Sequence, residues 1–270
     1  INHNNIVDTI NDIVMQAKSK EIIHLNSNSE SWTGKHLSIA GENLLNFGTC
    51  GYLGLETNSR ITDKACEYTK RYGAQFSISR AYVTSQNNLD LERLLSQIFD
   101  DRKTLVFSST TLAHISVVPI LIDTNDAIIL DQQAHVSMQT AVQLMAAKGV
   151  PIDVIRHNNL EMLERKIQAL RDKHEKIWYF IDGVYSMYGD LAPLDELNEL
   201  SKKYPALHFY VDDAHGMSWS GKNGSGCVFE KFKENHKTIL VTTMAKGFGS
   251  IGGIVVFPDD KSYQRVQMHG

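Results

Sequence analysis

The stretch Val241-Thr242-Thr243-Met244-Ala245-Lys246-Gly247-Phe248-Gly249-Ser250-Ile251-Gly252-Gly253 decides how the chain is read. An apolar run (Ile239, Leu240, Val241) stops at hydroxyls and presents one lysine. A glycine-rich segment follows, then a second apolar run from Ile254 to Phe257. The pattern predicts a strand, a tight loop and another strand. A lysine on a loop between buried strands is a candidate Schiff-base amine, because partial burial lowers its pKa and frees the lone pair that attacks a carbonyl. Without further support, an ordinary surface-loop lysine is the default.

The same stretch contains a decoy. Gly247-x-Gly249-x-x-Gly252 matches the dinucleotide fingerprint letter for letter. That fingerprint must follow a strand and open a helix, whose N-terminus carries the pyrophosphate. Here the glycines run into Ile254-Val255-Val256-Phe257, a strand, so nucleotide binding is rejected at this site.

Working outward, strands and helices alternate. Apolar runs begin near Thr104, Ala127, Ile152, Ile177, Leu207, Thr238 and Gly253, with helical patterns between most of them. Residues 160 to 171 carry Leu160, Leu163, Ile167 and Leu170 behind a cap at Asn158 or Asn159. Residues 193 to 203 open with Pro193, carry Asp195 and Glu196 early and end with Lys202 and Lys203, the charge order a helix dipole favours. The rhythm predicts an α/β fold with a mainly parallel, roughly seven-stranded sheet covered by helices on both faces. Before it, residues 6 to 23 (Ile6, Ile10, Val14, Ala17, Ile22) predict an amphipathic helix packed on a neighbour. Residues 26 to 43 read as polar and irregular, Leu44-Leu45-Asn46-Phe47 as a short strand, and 58 to 71 and 89 to 99 as helices. The expected organisation is an N-terminal helix and connecting segment at 1–45 and a major domain at 46–270.

Composition narrows the function classes. The 270 residues are 42% hydrophobic and 21% charged, enough for one large domain with a substantial core. A net charge of −4 gives no basic footprint for nucleic acid and no polybasic membrane patch. Three cysteines (Cys50, Cys66, Cys227) lack metal spacing and read as reduced thiols in a cytoplasmic protein. No apolar run approaches transmembrane length and no signal peptide is recognised. The chain starts at Ile1 and stops at Gly270, and is expected to be a fragment at both ends.

In such a sheet, ligands bind beyond the carboxyl ends of the strands. Ser108-Ser109-Thr110-Thr111 follows the first run and opens a helix, as plain caps or as a phosphate cradle. Asp131 and His135 follow the second; a flat imidazole there could stack on an aromatic cofactor. His157-Asn158-Asn159 needs only the cap reading. Asp182 to Asp190 is a long polar turn with a carboxylate and Ser186. Asp212-Asp213-Ala214-His215-Gly216 puts Asp212 at the end of a buried strand, where ionisation is costly without a cationic partner. A protonated pyridine nitrogen is such a partner. A metal is rejected, since Asp-x-x-His supplies too few ligands. Asp212, Lys246, Thr243, a hydroxyl-rich helix start and a histidine make up the set that pyridoxal phosphate requires: an amine for the Schiff base, a carboxylate for the ring nitrogen, donors for the phosphate and a flat ring for one face.

Four ordered blocks carry a resemblance. They are Tyr52-Leu53-Gly54-Leu55; Asp182-Gly183-Val184-Tyr185-Ser186-Met187-x-Gly189-Asp190-x-Ala192-Pro193-Leu194; Val211-Asp212-Asp213-Ala214-His215-Gly216; and Thr243-x-x-Lys246-Gly247-Phe248-Gly249. From about Phe47 to Phe257 the chain resembles the α-oxoamine synthase family of fold-type-I pyridoxal-phosphate enzymes. The resemblance implies that Lys246 forms the Schiff base and later moves the substrate α-proton. It implies that Asp212 pairs with the pyridinium nitrogen, His215 bonds the ring phenolate oxygen and His135 stacks on the ring. Ser109, Thr110 and Thr243 would bind phosphate, and Asp182 and Ser186 would line the site. The implied reaction is decarboxylative condensation of an amino acid with an acyl-CoA or other acyl thioester, in a homodimer with the site at the subunit interface. A C-terminal small domain, with an arginine for the substrate carboxylate, would lie beyond residue 270.

The chain departs from the family pattern at Cys50-Gly51, at Gln75-Phe76-Ser77-Ile78 before Ser79-Arg80, at Asn88, and at Ser108-Ser109. All four lie where amino-acid and acyl groups are handled. They keep open an aminotransferase or aldolase-type enzyme on the same fold, and a non-catalytic subunit that retains it. Intact Lys246, Asp212 and His215 argue against the last.

Overall fold

Apolar runs without alternation are buried on both faces, and the central sheet is built from them. The computed structural model describes residues 3–75 and 78–269, with side chains from Asp8 onward. The chain opens with α1 (His3–Ser19) and a small antiparallel hairpin, β1 (His36–Ile39) and β2 (Glu42–Leu45). Helices α2 (Ser59–Tyr72) and α3 (Gln86–Ile98) follow, capped by the side chains of Asn58 and Ser85. Then comes the alternating part: β3 (Thr104–Phe107), α4 (Thr110–Leu121), β4 (Ala127–Asp131), α5 (Val136–Ala146), β5 (Ile152–Ile155), α6 (Leu160–Leu170), β6 (Ile177–Asp182), α7 (Leu194–Lys203), β7 (Leu207–Asp212), α8 (Cys227–Phe232), β8 (Thr238–Thr243), β9 (Gly253–Val256) and α9 (Asp260–His269).

The seven strands from β3 to β9 form one sheet in the order β3-β9-β8-β7-β6-β4-β5. Pairing is parallel from β8 through β7, β6 and β4 to β5, while β9 runs antiparallel between β3 and β8. Alternate side chains serve two cores. Ile177, Tyr179, Ile181, Phe209 and Val211 pack under α3, α6, α7 and α8. Trp178, Phe180, Tyr210, Ile239 and Val241 pack under α4, α5 and α9. This is the fold the alternating runs predict.

The stretch from Thr243 to Gly253 is a hairpin between β8 and β9, as read, and no helix follows its glycines. Its tip is closed by the Gly249 amide donating to the Lys246 carbonyl (2.9 Å). Gly249 has φ 60°, and a Cβ there would stand 2.3 Å from the Glu56 backbone nitrogen. The glycines are thus a packing requirement and not a nucleotide loop.

Three expectations need correction. Residues 36 to 43, read as irregular, form a hairpin with Leu44 and Leu45; its two four-residue strands, β1 half-buried and β2 exposed, have no fully buried face to read. Phe47, read as a strand residue, lies past β2 and is exposed. In the stripe expected to pack α1 on a neighbour, Ile10 and Ile22 are exposed and Val14 and Ala17 are only half-buried, so among the described residues the stripe has no fully buried member. The Ile6 side chain, and Phe76 and Ser77 in the segment read as replacing a glycine run, lie outside the described residues.

Candidate functional site

Four strand ends and one helix start converge on a cavity of about 260 Å³. Ser109, Thr110, His135, Asp182, Asp212, His215, Thr243 and Lys246 all line it. The topology explains the convergence. β6 and β7 are parallel neighbours, so Asp182 and Asp212 stand side by side as register partners. β8 follows, and its last residue, Thr243, is the third before Lys246. Across the sheet, α4 begins directly against the start of β9. A Cβ on Gly253 would lie 2.7 Å from Ser109 O and Thr110 N, so only glycine lets the helix come this close.

Lys246 is half-buried. Burial lowers its pKa, while the negative charges of Asp212 and Asp182 and the Cys50 thiol oppose the fall. A depressed ammonium pKa gives more of the nucleophilic amine at neutral pH. For Asp212, burial works against ionisation, but the His114 hydrogen bond and charge, the Ala214 amide and Lys246 outweigh it and hold its carboxyl below the ordinary value. Asp182 goes the other way. Burial and the neighbouring Asp212 charge push it up to about 8, although it accepts the His135 amide at 3.1 Å.

His215 is neutral at ordinary pH, because burial and repulsion from Lys246 lower its pKa to about 4. Its Nδ1 lies 2.5 Å from the Tyr52 hydroxyl. Burial raises the Tyr52 phenol to about 12, so Tyr52 keeps its proton and donates to the ring. The His135 ring is held by Ser137, whose amide donates to Nδ1 at 3.3 Å and whose hydroxyl lies 2.6 Å from the same atom. At the start of α4, the Ser109 hydroxyl accepts the Leu112 amide at 3.2 Å. The amides of Thr110 and Thr111 are first-turn N–H groups of a 12-residue helix, without partners inside it, and such an end binds anions. Thr243 donates to the Gly252 carbonyl at 3.0 Å and accepts the Ala245 amide, which fixes the turn before the lysine.

One predicted site residue lies elsewhere. Ser186 sits in an exposed turn after β6 and does not line the cavity, because the bridge between Val184 and Leu191 carries the turn away from the strand end. Asp213, next to Asp212 in the sequence, turns into the protein. It accepts the Val228 amide at 3.1 Å, and burial pushes its carboxyl up to about 7. No group of three or more His, Cys, Asp or Glu among the described residues could hold a metal ion.

Sequence reasoning missed His114 and gave Tyr52 no role. His114 bridges Asp212 and Tyr210 from α4. Its signal was a single imidazole in an apolar helix, one turn after Thr110. Tyr52 and His215 are far apart in sequence, and no local pattern joins them.

A family profile for aminotransferase class I and II matches residues 42–268. The chain belongs to that family. Among relatives of this aminotransferase-family chain, the 8-amino-7-oxononanoate synthase of Petrotoga mobilis is 34% identical over 228 residues, covering 84% of this chain and 57% of that one. The 8-amino-7-oxononanoate synthase of Treponema denticola is 31% identical over 248 residues, covering 91% and 60%. The chain therefore spans little more than half the length of these relatives. The solved serine palmitoyltransferase of S. paucimobilis, with a bound PLP–myriocin adduct, superposes with a TM-score of 0.86 at 23% identity, covering all of this chain and 69% of that one. That likeness shows the fold. The α-oxoamine synthase resemblance read from the four blocks is borne out by these relatives.

The residues present fit pyridoxal phosphate. A lysine of depressed pKa, an ionised carboxylate, a neutral His215, the His135 ring and a hydroxyl-lined helix N-terminus share one cavity.

Proposed function

We propose that this chain is the cofactor-binding part of a pyridoxal-phosphate-dependent acyltransferase that condenses an amino acid with an acyl thioester, with loss of carbon dioxide. The observation that carries the cofactor reading is the placement of Lys246 and Asp212 on one cavity with the start of α4. The acyl-transfer reading rests on the 8-amino-7-oxononanoate synthase relatives.

When bound, the cofactor supplies an electron sink for negative charge developing beside the amino group. Every other task belongs to the chain. Lys246 Nζ would hold the cofactor's carbonyl carbon and would move the substrate α-proton. Asp212 holds a proton at the ring nitrogen, and its low pKa suits that role. His215, braced by Tyr52, donates from Nε2 to the ring oxygen. His135 covers one face with an imidazole fixed by Ser137. Ser109 and Thr110 would take the phosphate, while the Thr243 hydroxyl, committed to the Gly252 carbonyl and the Ala245 amide, fixes the cavity wall before Lys246. Asp182, kept protonated near neutral pH, adds a hydrogen-bond donor without a second charge.

A homodimer is part of the proposal. Phe47, Tyr82, Met187 and Ile251 are each more than 80% exposed, and Ile251 lines the cavity, so a second subunit would cover apolar surface at the site. A cytoplasmic location is supported by three unpaired cysteines. Among the described residues no helix is long and apolar enough to cross a membrane.

A second reading, transamination, is favoured by Cys50 and Gly51, which stand beside Lys246 where the family pattern has asparagine. One experiment separates the two. The purified protein, saturated with pyridoxal phosphate, is given glycine, alanine or serine with a series of acyl-CoAs. Amino-acid-dependent release of CoA supports condensation. Conversion of the cofactor to its amine form, with release of a keto acid and no CoA, supports transamination.

A further inference from the structure

His114 has no solvent exposure and sits in α4 among buried Ala113, Val117 and Val118. An imidazole in such surroundings is costly unless both nitrogens are satisfied. Both are. Nε2 lies 2.9 Å from Asp212 Oδ2, and Nδ1 lies 3.1 Å from the Tyr210 hydroxyl. Tyr210 and Asp212 are two residues apart on β7, so both project to the face that α4 covers.

Chemistry fixes the direction of the bond to Asp212. An ionised carboxylate only accepts, so Nε2 carries the hydrogen. Nδ1 faces the Tyr210 hydroxyl. Burial and the Asp212 charge keep Tyr210 a phenol, whose hydroxyl can pair with Nδ1 as donor or as acceptor. The other Asp212 oxygen, Oδ1, accepts the Ala214 amide at 2.9 Å. Different donors on its two oxygens lock the carboxylate plane. The other titratable groups that feel the Asp212 charge are Asp182 on β6, Asp213 and His215 after β7, and Lys246 after β8. The Asp212 charge raises the pKa of the two carboxyls among them, so the charge rests on Asp212.

We propose that His114 is a positioning residue: the Tyr210–His114–Asp212 chain holds the Asp212 carboxylate ionised and in one orientation on the cavity wall, ready to hold a proton on a ligand's ring nitrogen. The first part stands on the protein alone. The last clause rests on the pyridoxal-phosphate reading above.

The test uses the full chain with ¹³C-labelled aspartate, the Asp212 carboxyl signal being identified by its loss in Asp212→Asn. Three variants are compared. His114→Phe removes both bonds. His114→Gln keeps an N–H donor toward Asp212. Tyr210→Phe removes only the distal hydroxyl. Without cofactor, His114→Phe raises the Asp212 titration midpoint by about one to two pH units, His114→Gln recovers most of that, and Tyr210→Phe gives a smaller rise. With pyridoxal phosphate added, Kd rises roughly tenfold or more in His114→Phe and much less in His114→Gln. An Asp212 midpoint that stays at the wild-type value in a folded His114→Phe overturns the proposal. If that variant does not fold, Tyr210→Phe decides: a midpoint and Kd both unchanged there overturn it. Should the wild type bind no pyridoxal phosphate, the cofactor reading fails, and the titration without cofactor still decides the role of His114.

Discussion

Asp182 and Asp212 are register partners at the ends of the adjacent parallel strands β6 and β7, and their carboxyls titrate in opposite directions. The difference comes from what each meets. Asp212 has an imidazole donor from α4 and the Ala214 amide. Asp182 has one backbone amide and the repulsion of Asp212. Two side-by-side buried carboxyls cannot both ionise cheaply, so the one with more hydrogen-bond donors takes the charge.

That asymmetry predicts unequal mutants. Asp212→Asn should lower kcat by about 10²–10³-fold, the usual cost of removing one preorganised charge from a reacting centre. Asp182→Asn replaces a group that is already uncharged at pH 7, and should cost less than about tenfold. Steady-state kinetics of the two variants side by side checks the order; equal losses would contradict it.

Tyr52 braces His215 through one hydrogen bond of 2.5 Å. A net bond worth about 1 kcal/mol corresponds to about a fivefold effect. Tyr52→Phe should therefore lower kcat by about that factor with little change in thermal stability, since the substitution keeps the partly exposed ring and removes only the hydroxyl. A loss beyond about a hundredfold would assign Tyr52 a direct chemical role.

Asp213 predicts how stability varies with pH. Its carboxyl titrates near 7 in the folded protein because of burial, against 3.8 for an ordinary aspartate. The folded state therefore binds the extra proton between these values. The stability this provides is complete below the unfolded pKa and is lost as pH rises toward the folded pKa. Asp213→Asn carries no charge to bury. Measured as urea midpoints, its stability relative to wild type should rise between pH 5 and pH 8, by an amount on the order of a few kcal/mol. A constant difference across that range would show that Asp213 is not buried as described.

Gly253 allows the start of α4 to approach β9. Gly253→Ala should push the helix end off the sheet, destabilising the protein by about 1–3 kcal/mol. It should also weaken pyridoxal-phosphate binding, read by absorbance titration. Ser186→Ala, in contrast, should leave stability within about 0.5 kcal/mol and kinetics unchanged, because Ser186 lies outside the cavity.

The sheet was legible because its strands are continuous apolar runs ending in polar residues, and all seven begin where those runs begin. The hairpin at 36–45 was not, since two four-residue strands, one half-buried and one exposed, are too short to show a hydrophobic period. Within the cavity, residues at strand ends could be picked out one by one: Asp182, Asp212, Thr243 and Lys246 each follow an apolar run. Groups that act through a tertiary contact could not. Tyr52 meets His215, and His114 meets Asp212, only because helices and loops distant in sequence pack on the same strand ends. Ser186 shows the converse error, as closeness to a strand end in sequence does not place a side chain at that end.

The most direct measurement is the visible absorption of the protein incubated with pyridoxal phosphate, followed by borohydride reduction and peptide mapping. A yellow complex and a reduced pyridoxyl group on Lys246 are expected, both absent in Lys246→Ala. A colourless protein, or a label carried by other lysines at equal yield, would contradict the assignment of Lys246 as the cofactor's anchor.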